Sequence, residues 1–292
     1  MLKSSRRLKT TLAVVFCMSA VGAAVAVDDH SGAVADARNS DTDSGPSIST
    51  VTPYAKDLPR MNVNGEGRIQ TNPRTQMSVS YSPIGVGYST DEDQRPLPAL
   101  SLIKLYIGQY VLEHGAAADA KRVEKMVSRS DDDLAAEFYE LYPESVDSIA
   151  AEYGLFSTFG GQKWGVSRTT AADVVSFISQ LRLRDSDSVV LKAMRQWSPV
   201  AADGYRQDFG LAGLPGSEGA KMGWSNGRTW HSSVVFGPGY VMAAITEGSK
   251  LDHTKDVAEG IDGVEYQQLL KNSTKDDANS TKARAKNTGL KS

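Results

Sequence analysis

Ser101 and Lys104 are the one Ser-x-x-Lys pair in this 292-residue chain. On a helix, residues three apart share a face, which brings a hydroxyl and an amine within hydrogen-bonding reach. A lysine that is partly desolvated loses proton affinity, and a neutral amine beside a serine can act as its base. The chemistry on offer is nucleophilic attack by a hydroxyl, with no metal or cofactor required. A serine that opens a helix also serves commonly as an N-cap, so a structural role stands beside the chemical one.

The element that must carry the pair runs from Arg95-Pro-Leu-Pro through Leu112 to Gly115. Leu102, Ile103, Leu105, Tyr106, Ile107, Tyr110, Val111 and Leu112 leave almost no polar face, which predicts a buried central helix. Gly115 suits a helix C-cap. Around it, Gln76 to Ser82 and Ile84 to Thr90 alternate about Ser82-Pro83 and predict two strands joined by a turn. Helical spacing covers Ala120 to Val127, Leu134 to Leu141 and Ser145 to Tyr153, the last capped by Gly154. Phe156 to Arg168 is a Gly- and aromatic-bearing loop. Thr170-Ala-Ala-Asp173 is a capping-box variant that opens a helix to about Leu183, and a further helix spans about Ser188 to Trp197. Ala220 to Trp224, Thr229 to Phe236 and Tyr240 to Glu247 read as three strands with turns at Asn226-Gly227 and Pro238-Gly239. A helix from about Thr254 to Leu270 closes the domain. The expected fold class is α+β, with an antiparallel sheet assembled from both chain ends, packed with helices and a helical lobe.

The ends carry other signals. Lys3, Arg6, Arg7 and Lys9 precede the small apolar run Thr11 to Val25, and Ala24-Val25-Ala26 supplies a cleavage site. Residues 1–26 are therefore expected to be a secretory signal peptide, by the Sec or the twin-arginine route, and the protein exported, secreted or associated with the cell envelope. No transmembrane helix is expected in the mature chain. Cleavage removes Cys17, the one cysteine, and four of the 32 basic residues, leaving 28 against 35 acidic ones, a net charge of −7 instead of −3. That balance argues against a nucleic-acid partner. Residues 27–67 read as a disordered linker and 272–292 as a disordered tail, leaving 68–271 as one domain, expected to be a monomer.

Three short motifs stand in order: Ser101-Leu-Ile-Lys104, Ser130-Asp131-Asp132 and Lys221-Met222-Gly223-Trp224. The set resembles the S-x-x-K, S-D-N and K-T-G motifs of the class A β-lactamases and the related penicillin-binding D-alanyl-D-alanine peptidases. Trp164-Gly165 and the Trp230 strand are similar to the shortened secreted homologues common in actinobacteria. The resemblance spans essentially the whole globular part. It implies a serine β-lactamase/transpeptidase-like fold, with Ser101 as the acylated nucleophile, Lys104 as its base or proton relay, and Ser130 passing a proton to the leaving nitrogen. It also implies that Lys221 offers positive charge to a substrate carboxylate, that Asp132, Gly223 and Trp224 face the substrate, and that Ser101 and Trp224 give the backbone donors of an oxyanion hole.

Four departures qualify what the resemblance implies. Met222 replaces a carboxylate-binding hydroxyl, with Ser225 or Arg228 as possible substitutes. Asp132 replaces an amide and could pair with Lys104, keeping that lysine protonated. Ser130 follows Ser101 closely, which implies a trimmed helical lobe and a more open cleft. Phe156 to Arg168 holds no carboxylate to activate a deacylating water. The expectation is an exported serine hydrolase that forms an acyl-enzyme with β-lactam or peptidoglycan-like (D-alanyl) substrates and releases it slowly. The alternative is a catalytically impaired domain that binds cell-wall material or a protein partner.

Of the other polar candidates, His231 reads as a satisfied structural histidine, His114 as a helix-end residue, and His30 and His253 as residues of a tail and a loop. No His/Asp/Glu cluster has metal-ligand spacing.

Overall fold

Period-two alternation decides the sheet. In a computed structural model, which describes residues 58–82, 85–263 and 269, β2 (Thr75–Tyr81) and β3 (Val86–Ser89) form the early hairpin. The late strands β6 (Gly219–Trp224), β7 (Trp230–Gly237) and β8 (Tyr240–Glu247) form a meander. β2 pairs antiparallel with β8, so the five strands lie in the order β3-β2-β8-β7-β6, with β6 at an edge. The two ends of the chain are thereby joined in one sheet, as the sequence predicts.

Both faces of that sheet are covered. Val234, Phe236, Val241 and Ala243 point to a core shared with α1 (Ile103–His114), α2 (Ala120–Ser128), α3 (Asp132–Leu141), α4 (Ser145–Tyr153), α5 (Ala171–Arg184) and α6 (Val189–Arg195). Their neighbours Met222, Val235, Met242 and Ala244 point the other way, to a second core with Val257 and Ala258 of α7 (Lys250–Gly260). The central helix α1 is buried along most of its length, as its composition predicts. Among the described residues no helix is long and apolar enough to cross a membrane.

Several boundaries move, each for a physical reason. Gly115 ends α1 in an extended conformation instead of a left-handed one, and a Cβ there would lie 2.6 Å from the Val111 carbonyl oxygen. Gly154 does take the left-handed cap, with φ 64°. Thr170 caps α5, but Asp173 accepts from the Ser157 N–H and the Thr158 hydroxyl instead of completing a box. The closing helix starts at Lys250, four residues earlier than expected, because Ser249 and Asp252 form a full capping box ahead of the apolar positions. It stops at Gly260, where β9 (Ile261–Asp262) pairs with β1 (Arg60–Met61). Residues 58–67, expected to belong to the linker, are thus part of the fold, with Met61 buried. The expected signal peptide, the rest of the linker, most of residues 264–271 and the C-terminal tail lie outside the described residues.

One short element positions the site. β4 (Leu97–Pro98) pairs with β5 (Arg168–Thr169), a strand inside what the sequence presents as loop, and the Ala99 N–H donates to Ser167 O at 3.0 Å. This ties the loop carrying Trp164 to the start of the central helix.

Candidate active site

Ser101 lies on a single 3₁₀ turn, Leu100–Leu102, that leads into α1. Its side chain makes no capping bond there, so the N-cap alternative falls away. Leu100, just before it, holds a left-handed backbone with φ 54° although it is bulky and buried. Such strain costs about 1–3 kcal/mol and persists only where the surroundings enforce it. One turn on, Lys104 is fully buried, and its ammonium donates to Ser101 Oγ at 2.9 Å.

Ser130 reaches the same point from the α2–α3 connection. It too is left-handed, with φ 52°. Its neighbour Asp131 is tied down by capping the Leu134 N–H and pairing with Lys125. Lys104 Nζ lies 3.2 Å from Ser130 O and 3.3 Å from Ser130 Oγ. Asp132 is half exposed, and its Oδ1 sits 2.5 Å from Lys104 Nζ. The pairing anticipated for this carboxylate is therefore made.

Lys221 enters from the edge strand β6 and is 1 % exposed. Its Nζ lies 2.8 Å from Ser130 Oγ and donates to Met222 O at 2.6 Å. Ser101, Lys104, Ser130 and Lys221 form one unbroken chain of polar contacts that joins the start of α1, the α2–α3 connection and β6. Gly223 allows the strand to lie against Ser101: a Cβ there would meet Ser101 N at 2.7 Å and Ser232 Oγ at 2.6 Å. The Ser225 N–H donates to Trp230 O across the β6–β7 ladder. By the alternation of such ladders, the N–H of Trp224 faces away from β7, along the free edge.

Burial lowers the proton affinity of both lysines, by different amounts. At Lys104 desolvation is opposed by the Asp132 carboxylate, with smaller contributions from Asp131 and Asp203. At Lys221 desolvation is joined by repulsion from Lys104, and its pKa falls well below the ordinary lysine value.

Two features were missed in the sequence. Trp164 lays its ring 4.5 Å from Lys104 Nζ, a cation–π contact in a loop that offers no carboxylate. Its signal was present, since an aromatic stands in a loop held beside α1, but nothing in the local spacing points at Lys104. Asp203 is the second feature: it accepts from Trp224 Nε1 at 3.3 Å and pairs with Arg228 at 3.4 Å. Arg228 also stacks on Tyr205, 3.9 Å from the ring centre, and Tyr205 packs against Trp224.

Met222 takes no part in the site. Its side chain alternates away from Lys221 and Gly223 into the second core and is fully buried. Neither expected substitute is idle: Ser225 Oγ accepts from the Thr229 and Trp230 N–H groups, and Arg228 is held by Asp203. The carboxylates nearest in sequence before the Phe156–Arg168 loop do not replace the missing one: Glu144 accepts from the Tyr110 hydroxyl and Glu152 pairs with Arg184. A cavity of about 500 Å³ opens beside Asp132, lined by Asp131, Asp133, Asp203, Lys125 and Arg129.

His231 is buried and satisfied, between the Tyr205 hydroxyl at 3.0 Å and Gly248 O at 2.8 Å, with burial lowering its pKa. His253 differs from expectation: it is fully buried in α7 instead of lying in a loop. His114 is exposed at the last turn of α1, and His30 lies outside the described residues.

Solved structures match the fold. A β-lactamase from Burkholderia vietnamiensis superposes with a TM-score of 0.51 at 15% identity, over 68% of this chain and 93% of that one. A β-lactamase from a halotolerant bacterium gives 0.50 at 13% identity, over 68% and 91%. The chain has the β-lactamase fold. A D-alanyl-D-alanine carboxypeptidase from Mycobacterium tuberculosis is also similar, at 17% identity and a TM-score of 0.47, over 66% of this chain and 88% of that one. No protein-family model and no curated protein matches the sequence. Within the β-lactamase fold of this chain, Asp132 and Met222 depart from the expected motifs, and the loop that holds Trp164 carries no carboxylate.

Proposed function

We propose that the protein is an exported serine hydrolase that forms an acyl-enzyme at Ser101 with β-lactam or peptidoglycan-like, D-alanyl substrates. The observation that carries this reading is the Ser101 Oγ–Lys104 Nζ contact of 2.9 Å, continued through Ser130 Oγ to Lys221 Nζ. A serine hydroxyl with buried amines beside it has a route for its proton, and the leaving group has a hydroxyl at Ser130 from which to take one. In this reading the N–H groups of Ser101 and Trp224 hold the oxyanion, each such donor contributing about 3–4 kcal/mol to the transition state. Gly223, Asp132 and Trp224 border the acyl group. The loop from Phe156 to Arg168 supplies Trp164 where a water-activating carboxylate would be needed, so the acyl-enzyme is long-lived.

A second reading is favoured by the Lys104–Asp132 ion pair and the buried Met222: a catalytically impaired domain that binds cell-wall material or a protein partner. Intact mass decides between them. After incubation with a penicillin, the protein gains the mass of one intact drug molecule, the adduct persists, and Ser101→Ala gains nothing. Absence of any adduct with several β-lactams and an activated ester would remove the hydrolase reading.

A further inference from the structure

The site holds two buried lysines that share one hydroxyl. Lys104 and Lys221 lie 3.3 Å and 2.8 Å from Ser130 Oγ, so their nitrogens are close neighbours. Two ammonium groups at that separation, both out of water, repel each other strongly, and the site is eased when one is neutral. Their partners differ. Lys104 faces the Asp132 carboxylate from α3 at 2.5 Å and the Trp164 ring from the loop, with Asp131 and Asp203 further off. Among the described residues, Lys221 bonds a hydroxyl and a carbonyl, and the charged groups acting on it are Lys104 and, less, Asp132.

We propose that Lys221, and not Lys104, is the neutral amine of the resting site and the terminal proton acceptor when Ser101 is acylated. This rests on the acyl-enzyme reading above and reverses the role the family resemblance implies for Lys221, that of a fixed positive charge. At rest Lys104 is an ammonium, Ser130 a hydroxyl and Lys221 an amine that accepts the Ser130 proton while donating to Met222 O. On attack, Ser130 passes its proton to Lys221 and takes one from Lys104. Lys104, now neutral, takes the Ser101 proton as Oγ bonds the acyl carbon and the carbonyl electron pair moves onto oxygen. When the tetrahedral species collapses, the bond to the leaving group breaks and that group takes the Ser130 proton. Lys221 returns a proton to Ser130. The products are acyl-Ser101, protonated leaving group, Lys104 ammonium and Lys221 amine, so every proton is accounted for.

The test has two arms. Titration of protein labelled with ¹³C and ¹⁵N in its lysines should show one neutral amine at pH 7 whose signal is absent from Lys221→Met and present in Lys104→Met. A neutral signal that disappears from Lys104→Met instead, or no neutral lysine at pH 7, overturns the proposal. Asp132→Asn, at a half-exposed position, covers the case in which a lysine variant fails to fold: it should move the Lys104 titration to lower pH, and an unmoved midpoint also counts against the proposal. The kinetic arm uses Lys221→Arg, which keeps the charge but cannot become neutral, with a neutral activated ester. Acylation should fall about a hundredfold or more; retention of the wild-type rate would mean that charge alone suffices. The lysine signals need no turnover, so a failure of the acyl-enzyme reading leaves the titration arm intact.

Discussion

Two buried polar chains lie on opposite faces of the same sheet, and they use similar residues to different ends. On the helical face, Ser101, Lys104, Ser130 and Lys221 converge beside the free edge of β6. On the α7 face, Ser233 Oγ meets His253 Nε2 at 2.8 Å, His253 Nδ1 meets Thr246 Oγ1 at 2.7 Å, and Thr246 meets Thr75 at 2.8 Å. Thr75 then donates to Asp256 at 2.7 Å, and Asp256 takes a two-pronged bond from Arg74 at 2.8 and 3.0 Å. That second chain contains a serine, a histidine and an aspartate linked in sequence, but Gly210 seals it: a Cβ there would sit 2.4 Å from the His253 ring. Its buried Asp256 carboxylate is matched by Arg74, which also pairs with Asp252. The first chain ends at a half-exposed carboxylate beside a cavity and sets two buried lysines against that one carboxylate. Residue types alone do not separate the two chains; the crowding of two amines beside one carboxylate does.

The contrast can be broken at either chain. Lys104→Met should reduce acylation of an activated ester by about 10²–10⁴-fold, the range for removing a positioned acid–base group. Its thermal midpoint should barely move, since Asp132 is left half in water. A large drop in stability with unchanged acylation would exchange the roles assigned to the two chains. Asp256→Ala should act in reverse, costing about 2–3 kcal/mol in urea denaturation by stranding Arg74 and Thr75, with the acylation rate per folded molecule unchanged. A smaller effect comes from pH. Burial lowers the His253 pKa from 6.5 to about 3. A group depressed on folding contributes stability that is whole above its unfolded value and is lost as pH falls toward the folded one. Between pH 7 and pH 5 the protein should lose about 2 kcal/mol through this histidine, and His253→Gln should flatten that slope. An equal slope in the variant would place the acid sensitivity elsewhere.

What could be read in advance follows from how local each signal is. The Ser101–Lys104 spacing, the apolar wrap of α1 and the alternation of β6, β7 and β8 are short-range patterns, and the structure reproduces them. Ser130 was legible as a motif, but its left-handed backbone was not. Trp164 and Asp203 act through partners that lie far along the chain, and His253 bonds Ser233 and Thr246 on two different strands and links to Asp256 through Thr246 and Thr75. Arg60-Met61 carries no periodicity, and its strand exists only because Ile261-Asp262 arrives beside it. The start of α7 was written in Ser249 and Asp252, but those residues precede the apolar positions that the helical pattern follows.

The pairing of β2 with β8 also governs how the molecule comes into being. Thr75 and Thr246 touch although 171 residues separate them, and the sheet cannot be completed until the last strand has been synthesised. Contacts of such range slow folding, because the loop must close before any of them is rewarded. Until then the β2–β3 hairpin presents an unpaired edge. The nascent chain therefore carries Ser101, Lys104 and Ser130 well before the strand that ties the two ends of the sheet together.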